Sequence, residues 1–144
     1  MQLTRFSDLS LRVLMYLGSR DEPSSAAVTV REAATLFNVP YTHMVKVVHQ
    51  LGRDGFLATS KGRGGGVRLS RPPQEIRIGD VLRKTESNKT VIDCFTPACP
   101  LRNNCLLKTA LDGAYDAFFE EMNRHTLADV AQSPALRTLV PLSA

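Results

Sequence analysis

The sequence predicts a mainly α-helical fold with a small β wing: a winged helix-turn-helix domain followed by a long dimerisation helix. Three observations support this prediction. Apolar residues recur every three to four positions in several segments. Two short helical patterns are separated by a tight turn, and a glycine-rich stretch lies between two alternating runs. The chain has 144 residues, enough for one domain with its own core or a small domain with an extension.

The first predicted helix covers residues 7–19. Ser7 is expected to cap its first N–H groups, and Asp8 suits the positive end of the helix dipole. Its apolar residues form one stripe, namely Phe6, Leu9, Val13 and Leu17. Gly18 and the segment 21–27 end this helix in a flexible loop.

Two further helices form the expected helix-turn-helix. Thr29 and Glu32 have the spacing of a capping box, which opens a short helix. A turn at Asn38 precedes a second helix over 40–53, with Pro40 at its first position. The residues predicted to be buried on this helix are Met44, Val47, Val48 and Leu51. Its polar face carries Tyr41, Thr42, His43, Lys46, His49 and Gln50. Recognition helices present such side chains to base edges, although any antiparallel helix pair has a similar pattern, and His43 and His49 also fit ordinary surface histidines.

Residues 56–70 predict the wing. Two short alternating runs surround a glycine-rich turn, in which Gly64, Gly65 and Gly66 permit positive φ angles and close approach. Lys61, Arg63 and Arg68 add positive charge to this hairpin. The alternative is a phosphate-binding enzyme loop, but that motif ends in GK[ST] and opens a helix, whereas this stretch opens a strand.

The second half predicts a short helix over 76–86 with Ile78, Val81 and Leu82 facing inward, then a long helix over about 104–124. The stripe of the long helix is Leu107, Leu111, Ala114, Phe118 and Met122, widened by Leu106, Ala110 and Ala117. A partner subunit or an ordinary core would cover it. Another short helix is expected around 127–130. We therefore divide the chain into a DNA-binding domain at 1–75 and a cofactor and dimerisation region at 76–144.

Charge and composition narrow the function. Residues 1–71 carry ten Lys and Arg against five Asp and Glu, and residues 72–144 carry eight against nine. The basic first half favours a nucleic-acid partner, with simple surface charge as the alternative. The chain has no apolar run near 18 residues and no signal-peptide pattern. We expect a cytoplasmic protein.

All three cysteines lie in the segment 94–105, spaced C-x4-C-x5-C. Thiolates are soft ligands for zinc or an iron–sulfur cluster. Structural zinc sites use four ligands and closer pairs, and inert thiols or a transient disulfide are further alternatives. Three thiolates leave the fourth position to a weaker ligand, which suits a sensor. No nucleophile–base pairing is visible around the three histidines, so we do not expect an enzyme.

Taken together, the helix-turn-helix, the wing KGRGGGVRL, the segment IRIGDVLRKTE and three cysteines before a long helix resemble the bacterial iron–sulfur winged-helix regulators. The likeness extends from MQLTRFSDLSLRVLMYL to HTLADV and is greatest to the nitric-oxide-sensing repressors of that family. It implies a homodimer that binds inverted-repeat promoter DNA at the nucleoid. It also implies one cluster per subunit, 4Fe–4S rather than the alternative 2Fe–2S.

The resemblance also implies individual roles. Cys94, Cys99 and Cys105 match the cluster ligands, and Asp8 matches an aspartate that the partner subunit donates. Asp8 as a helix-dipole residue is the alternative. Another branch of the family carries a histidine where this chain has Lys108. The implied DNA contacts are Arg12, Tyr41, Thr42, His43, Lys46, Lys61 and Arg63. The alternative functions are a sensor of iron–sulfur supply or redox state, and a DNA-binding regulator that holds zinc or no metal.

Overall fold

The computed structural model describes residues 1–20 and 27–139. The predicted flexible loop at 21–27 lies outside these residues except for Ala27. Two β-strands and a 3-10 turn interrupt a series of helices, so the predicted fold class is confirmed. In chain order the elements are α1 (Arg5–Gly18), α2 (Val30–Leu36), α3 (Tyr41–Arg53), β1 (Leu57–Ser60), β2 (Gly66–Leu69), the 3-10 turn Pro73–Glu75, α4 (Ile78–Thr85), α5 (Leu106–Met122), α6 (Leu127–Ala131) and α7 (Pro134–Leu139).

Helix α1 begins two residues earlier than predicted, and its cap is Thr4 rather than Ser7. Thr4 has extended backbone angles, and its side chain accepts the Ser7 N–H at 3.1 Å. Ser7 is instead fully buried within the helix, as is Ser10. The buried face is therefore rotated from the predicted stripe: Val13 and Leu17 are buried, whereas Phe6 and Leu9 are only partly buried against the core.

The helix-turn-helix forms as predicted. Thr29 and Glu32 make both bonds of the capping box, and Asn38 takes a left-handed φ of 50° in the turn. Pro40 is the N-cap of α3 rather than its first helical residue. All four residues predicted to face the core of α3 are buried, namely Met44, Val47, Val48 and Leu51. The confirmed periodicity directs the polar face of α3 outward.

The wing is a two-stranded antiparallel hairpin with Leu57 opposite Leu69 and Ser60 opposite Gly66. Val67 also bridges to Val28, which attaches the wing to the segment before α2. Gly64 and Gly66 have positive φ angles, as predicted. Gly65 does not, and is required for a different reason: a Cβ there would lie 2.5 Å from the Ser60 carbonyl oxygen.

The region after the wing packs against α1. The predicted inward residues Ile78, Val81 and Leu82 are buried, and the core continues from α1 through α4 to α6. It therefore crosses position 75, and the division at 75/76 stays a prediction. The short helix expected around 127–130 is α6, which a second capping box between Thr126 and Asp129 opens. Helix α7 was not predicted.

Helix α5 differs most from expectation in its packing. Of its residues only Phe119 is fully buried, with its ring edge-on to Tyr115 and Phe118. The predicted apolar stripe is only partly covered within the chain: α5 packs on α4, and Phe118 and Met122 of the stripe pack against the core, whereas the start of the stripe does not. Leu106 and Leu107 are 83% and 61% exposed. Within the described residues, no helix is both long and apolar enough to span a membrane.

Candidate DNA-binding surface and cysteine site

The N-terminal half of α3 presents a polar surface. Met44, Val47 and Val48 pack inward, so the helical repeat turns the predicted base-reading residues to the outside. All four are exposed, namely Tyr41, Thr42, His43 and Lys46. The guanidinium of Arg31 lies 4.8 Å from the Tyr41 ring centroid, which joins α2 to this surface. A helix with an exposed, polar N-terminal half has the form that enters a major groove.

The wing adds unpaired positive charge beside this helix. Lys61 and Arg63 are exposed on the turn between the strands, and Arg68 is exposed on β2. Within residues 1–20 and 27–139, no ion pair involves Lys46, Lys61 or Arg63. Cations that no carboxylate neutralises are available to phosphate groups. The arrangement suits a polyanion that contacts α3 and the wing together.

Arg12 and Asp8, which the resemblance assigned to different roles, contact each other. The Arg12 Nε donates to both Asp8 carboxylate oxygens, at 3.0 and 3.1 Å. The two side chains are 57% and 52% exposed. An exposed pair four residues apart on a helix stabilises it by only about 0.3–0.5 kcal/mol. Either partner can therefore exchange this contact for another at small cost. The spacing alone could have predicted the pair.

Short-range bonds build the start of the cysteine segment. Cys94 is buried, Cys99 and Cys105 are half-buried, and all three thiols are free. An Asp93 carboxylate oxygen accepts the N–H groups of Phe95 and Thr96 at 2.7 and 3.2 Å. The Cys99 N–H donates to the Cys94 carbonyl at 3.0 Å. These bonds turn the chain around the first two thiols.

Cys105 joins this segment to α5. It is the N-cap of the helix, and its sulfur accepts the Lys108 N–H at 3.4 Å. The Lys108 ammonium pairs with Asp112. This bond raises the pKa of Lys108 above its usual 10.5, and the nearby Cys94 and Cys105 act in the same direction. Lys108 is thus a cation beside two thiols, and an ammonium group has no lone pair to offer a metal.

The donor set fits a soft metal centre in its chemistry. Three thiols share one short segment, and thiolates bind zinc and iron–sulfur clusters. Among the described residues, no three His, Cys, Asp or Glu side chains are grouped closely enough to hold a metal ion. Asp8 is not brought into such a group with the cysteines. The three thiols therefore share one segment of the sequence, but the described structure does not bring them together at a single point.

Sequence reasoning missed one contact near this site. Glu86, in the segment that leads to Cys94, accepts the Thr4 N–H at 2.8 Å and the Thr4 hydroxyl at 3.1 Å. The contact joins the N-terminus of α1 to the end of α4. Because 82 positions separate the two residues, no local pattern could have indicated it.

Comparison with known proteins agrees with this geometry. Residues 3–133 match the family described as Rrf2, iron-dependent transcriptional regulator. The HTH-type transcriptional regulator NsrR of Halalkalibacterium halodurans is 41% identical over 133 residues, 90% of each chain. That of Shouchella clausii is 39% identical over 144 residues, covering 97% of this chain and 95% of its own. The resemblance drawn from the sequence is thus confirmed.

Solved structures share the fold at low identity. The CymR global cysteine regulator of B. subtilis superposes with a TM-score of 0.69 at 19% identity, covering 91% of this chain and 96% of its own. IscR of T. potens superposes with a TM-score of 0.70 at 18% identity, covering 90% and 85%. The expectation of a regulator rather than an enzyme is confirmed, and the chain belongs to the Rrf2 family of transcriptional regulators.

Proposed function

We propose that this chain is a nitric-oxide-sensitive repressor that binds inverted-repeat promoter DNA as a homodimer under the control of an iron–sulfur cluster. The observation that carries the proposal is the grouping of its only three thiols on one segment, in a chain similar over nearly its whole length to regulators named NsrR. The protein acts in the cytoplasm and lies at the nucleoid when it is bound to DNA.

The DNA-binding role rests on α3 and the wing. Tyr41, Thr42, His43 and Lys46 face the major groove, while Lys61 and Arg63 of the wing bind flanking phosphates. A symmetric dimer reads two half-sites with two such surfaces. The exposed start of the apolar stripe of α5 supplies the dimer contact, since Leu106 and Leu107 otherwise remain in water.

Cys94, Cys99 and Cys105 would hold the cluster, 4Fe–4S by preference, and Asp8 of the partner subunit would supply the fourth ligand. When bound, the cluster supplies iron that reacts with nitric oxide. A carboxylate oxygen is a weaker ligand for such iron than a thiolate, so the fourth position is the most easily exchanged. The short segment with three thiols keeps the site open at that position.

The Asp8–Arg12 pair makes the charge of the DNA-binding surface depend on whether Asp8 occupies the fourth ligand position. An Asp8 carboxylate that is engaged in the partner subunit leaves Arg12 without its ion pair, and Arg12 is then available to a phosphate. An Asp8 carboxylate that returns to Arg12 withdraws that cation and adds a negative charge near the DNA. A coupling of about 1–3 kcal/mol between the sites changes affinity about 5–150-fold.

Anaerobic purification followed by the visible spectrum and by iron and sulfide analysis tests the proposal. We expect a coloured protein with iron and sulfide, and a colourless Cys99→Ser variant. Nitric oxide added to a DNA mobility assay should release the loaded protein. A colourless protein with stoichiometric zinc would contradict the proposal of an iron–sulfur sensor. Release by oxidant or by iron–sulfur depletion without a response to nitric oxide would indicate the redox or supply sensor instead.

The role of Asp8 has its own test. Asp8→Ala should retain part of the cluster, because the three cysteines remain, but should weaken the dependence of DNA binding on cluster state. The control is Glu121→Ala, which removes a carboxylate that also forms an exposed ion pair with a nearby arginine, Arg124. Full nitric-oxide sensitivity and an unchanged spectrum in Asp8→Ala would contradict ligation by Asp8.

A further inference from the structure

The N-terminus of α1 is capped by a carboxylate from a distant part of the chain. In a capping box, a Glu at the third helical position accepts the N–H of the cap residue. In α1 that position holds Ser7, which has no carboxylate. Glu86 takes this role instead: one of its oxygens accepts the Thr4 N–H at 2.8 Å and the Thr4 hydroxyl at 3.1 Å. The positive end of the helix dipole favours a negative charge there.

This contact connects two segments that the cofactor site would use. The Asp8 N–H donates to the Thr4 carbonyl at 3.0 Å, so one continuous hydrogen-bonded path runs from Asp8 through Thr4 to Glu86. On the other side, Glu86 ends α4, and its own N–H bonds to the Leu82 carbonyl at 2.8 Å. The chain then runs from Glu86 towards Cys94. The Tyr115 hydroxyl bonds to the Asn88 carbonyl and holds this stretch against α5.

The two ends of the contact differ in how many buried apolar side chains lie beside them. Helix α4 is held by buried Ile78, Val81 and Leu82. The buried apolar residues of α1, in contrast, begin only at Val13. A cleft of about 110 Å³ adjoins the first residues of the chain, lined by Met1, Gln2, Leu3, Glu86, Tyr115, Phe118 and Phe119. Ser7 is fully buried in this turn and Phe6 packs against the core. The charge-assisted bonds from Thr4 to Glu86 add to this packing in defining the place of the turn.

We propose that Glu86 is a positioning residue that fixes the first turn of α1, and with it Asp8, relative to the start of the cysteine segment. The inference rests on the proposed ligand role of Asp8. In a dimer, α1 of each subunit carries Asp8 to the partner, while Glu86 ties that same helix to its own cysteine segment. Each α1 is therefore connected to both cluster sites of the dimer, to one through Asp8 and to the other through Glu86.

A double-mutant cycle tests this role in the full-length protein, loaded anaerobically with its cluster. The rate of cluster loss to a chelator, followed by visible absorbance, is measured for Glu86→Ala alone, for Asp8→Ala alone and for both together. We expect Glu86→Ala to speed the loss about tenfold, as for other residues that orient metal ligands. In the Asp8→Ala background the same change should add nothing, because the residue that it positions is gone.

Glu32→Ala is the matched control, because Glu32 also accepts an N–H at a helix N-terminus, that of Thr29 at 2.6 Å. It should leave the rate of cluster loss unchanged. Glu86→Gln keeps an acceptor oxygen and should restore much of the cluster retention.

Amide hydrogen exchange of the cluster-free protein provides a second readout. Glu86→Ala should speed exchange in residues 5–12 and leave exchange in α2 unaffected. Exchange in residues 5–12 at the same rate in Glu86→Ala as in the native protein would overturn the inference.

The outcomes separate the inference from the proposed function. Equal acceleration by Glu86→Ala in both backgrounds would mean general destabilisation and would overturn the positioning role. No acceleration in the native background would also overturn it. An Asp8→Ala variant that loses its cluster at the native rate would overturn the ligand role of Asp8 and the inference with it. A colourless native protein would overturn the proposed function itself.

Discussion

Two regions differ in how fully the chain covers their apolar side chains: residues 28–70, called the reading head, and residues 86–122, called the cysteine region. In the reading head the inward-facing apolar residues of α3 are buried, with Met44 and Leu51 fully so. In the cysteine region Phe95 and Leu101 are 72% and 66% exposed, and three thiols are free. The proposed cluster and dimer partner would cover apolar surface in this region.

The difference extends to the way each region is held. The reading head relies on neighbours in sequence, such as the Thr29–Glu32 capping box and the hairpin pairs of the wing. The cysteine region depends on contacts across the chain, such as Glu86 with Thr4 and Arg83 with Asp116 and Glu120. Bonds between sequence neighbours can be predicted from local patterns, whereas the contacts of the second region depend on how separate helices pack.

The largest expected effect follows from the complete packing of the reading head. Met44→Ala should lower the free energy of unfolding by about 2–5 kcal/mol, because it removes a fully buried side chain and leaves a cavity. Chemical denaturation measures the change. The control is Val45→Ala on the outer face of the same helix, which should stay within about 0.5 kcal/mol of the native protein. Equal effects at both positions would contradict the packing of α3 described above.

A substitution on the exposed face of α5 should change the affinity of the dimer rather than the stability of the single chain. Leu107→Asp should leave the stability of the single chain nearly unchanged, because the side chain is 61% exposed. It should weaken the dimer about tenfold or more, since it places a charge in an apolar contact. Sedimentation equilibrium measures the dissociation constant. Thr109→Asp adds the same charge on the opposite face of the helix and should not change it; an unaffected dimer in Leu107→Asp would remove α5 from the interface.

The smallest effect concerns acid stability of the reading head. The bonds from Thr29 hold the pKa of Glu32 below its usual 4.5. The folded state therefore binds this proton more weakly than the unfolded state. The resulting stability is present above pH 4.5 and is lost as the pH falls through the lower folded value. Glu32→Gln should flatten this part of the profile in acid denaturation, whereas Glu75→Gln, outside any capping box, should follow the native curve.

Sequence patterns predicted the reading head almost completely. The period of α3 placed Met44, Val47, Val48 and Leu51 in the core without error, because one face of an amphipathic helix must be buried. The same reasoning placed the start of α1 wrongly. Ser7 and Thr4 are both acceptable caps, and the bonds from Thr4 to Glu86 favour the earlier start.

The sequence by itself determined the elements whose signals are local: the helix-turn-helix with its capping box, the wing, and the three clustered thiols. Only the tertiary structure decided the rotated buried face of α1 and the Glu86 cap. It also decided that α5 contributes Phe119 to the core and leaves Leu106 and Leu107 exposed. The physical reason is distance along the chain. Periodicity and caps act within a few residues, whereas the partner of Thr4 and the face that α5 buries depend on how separate helices pack.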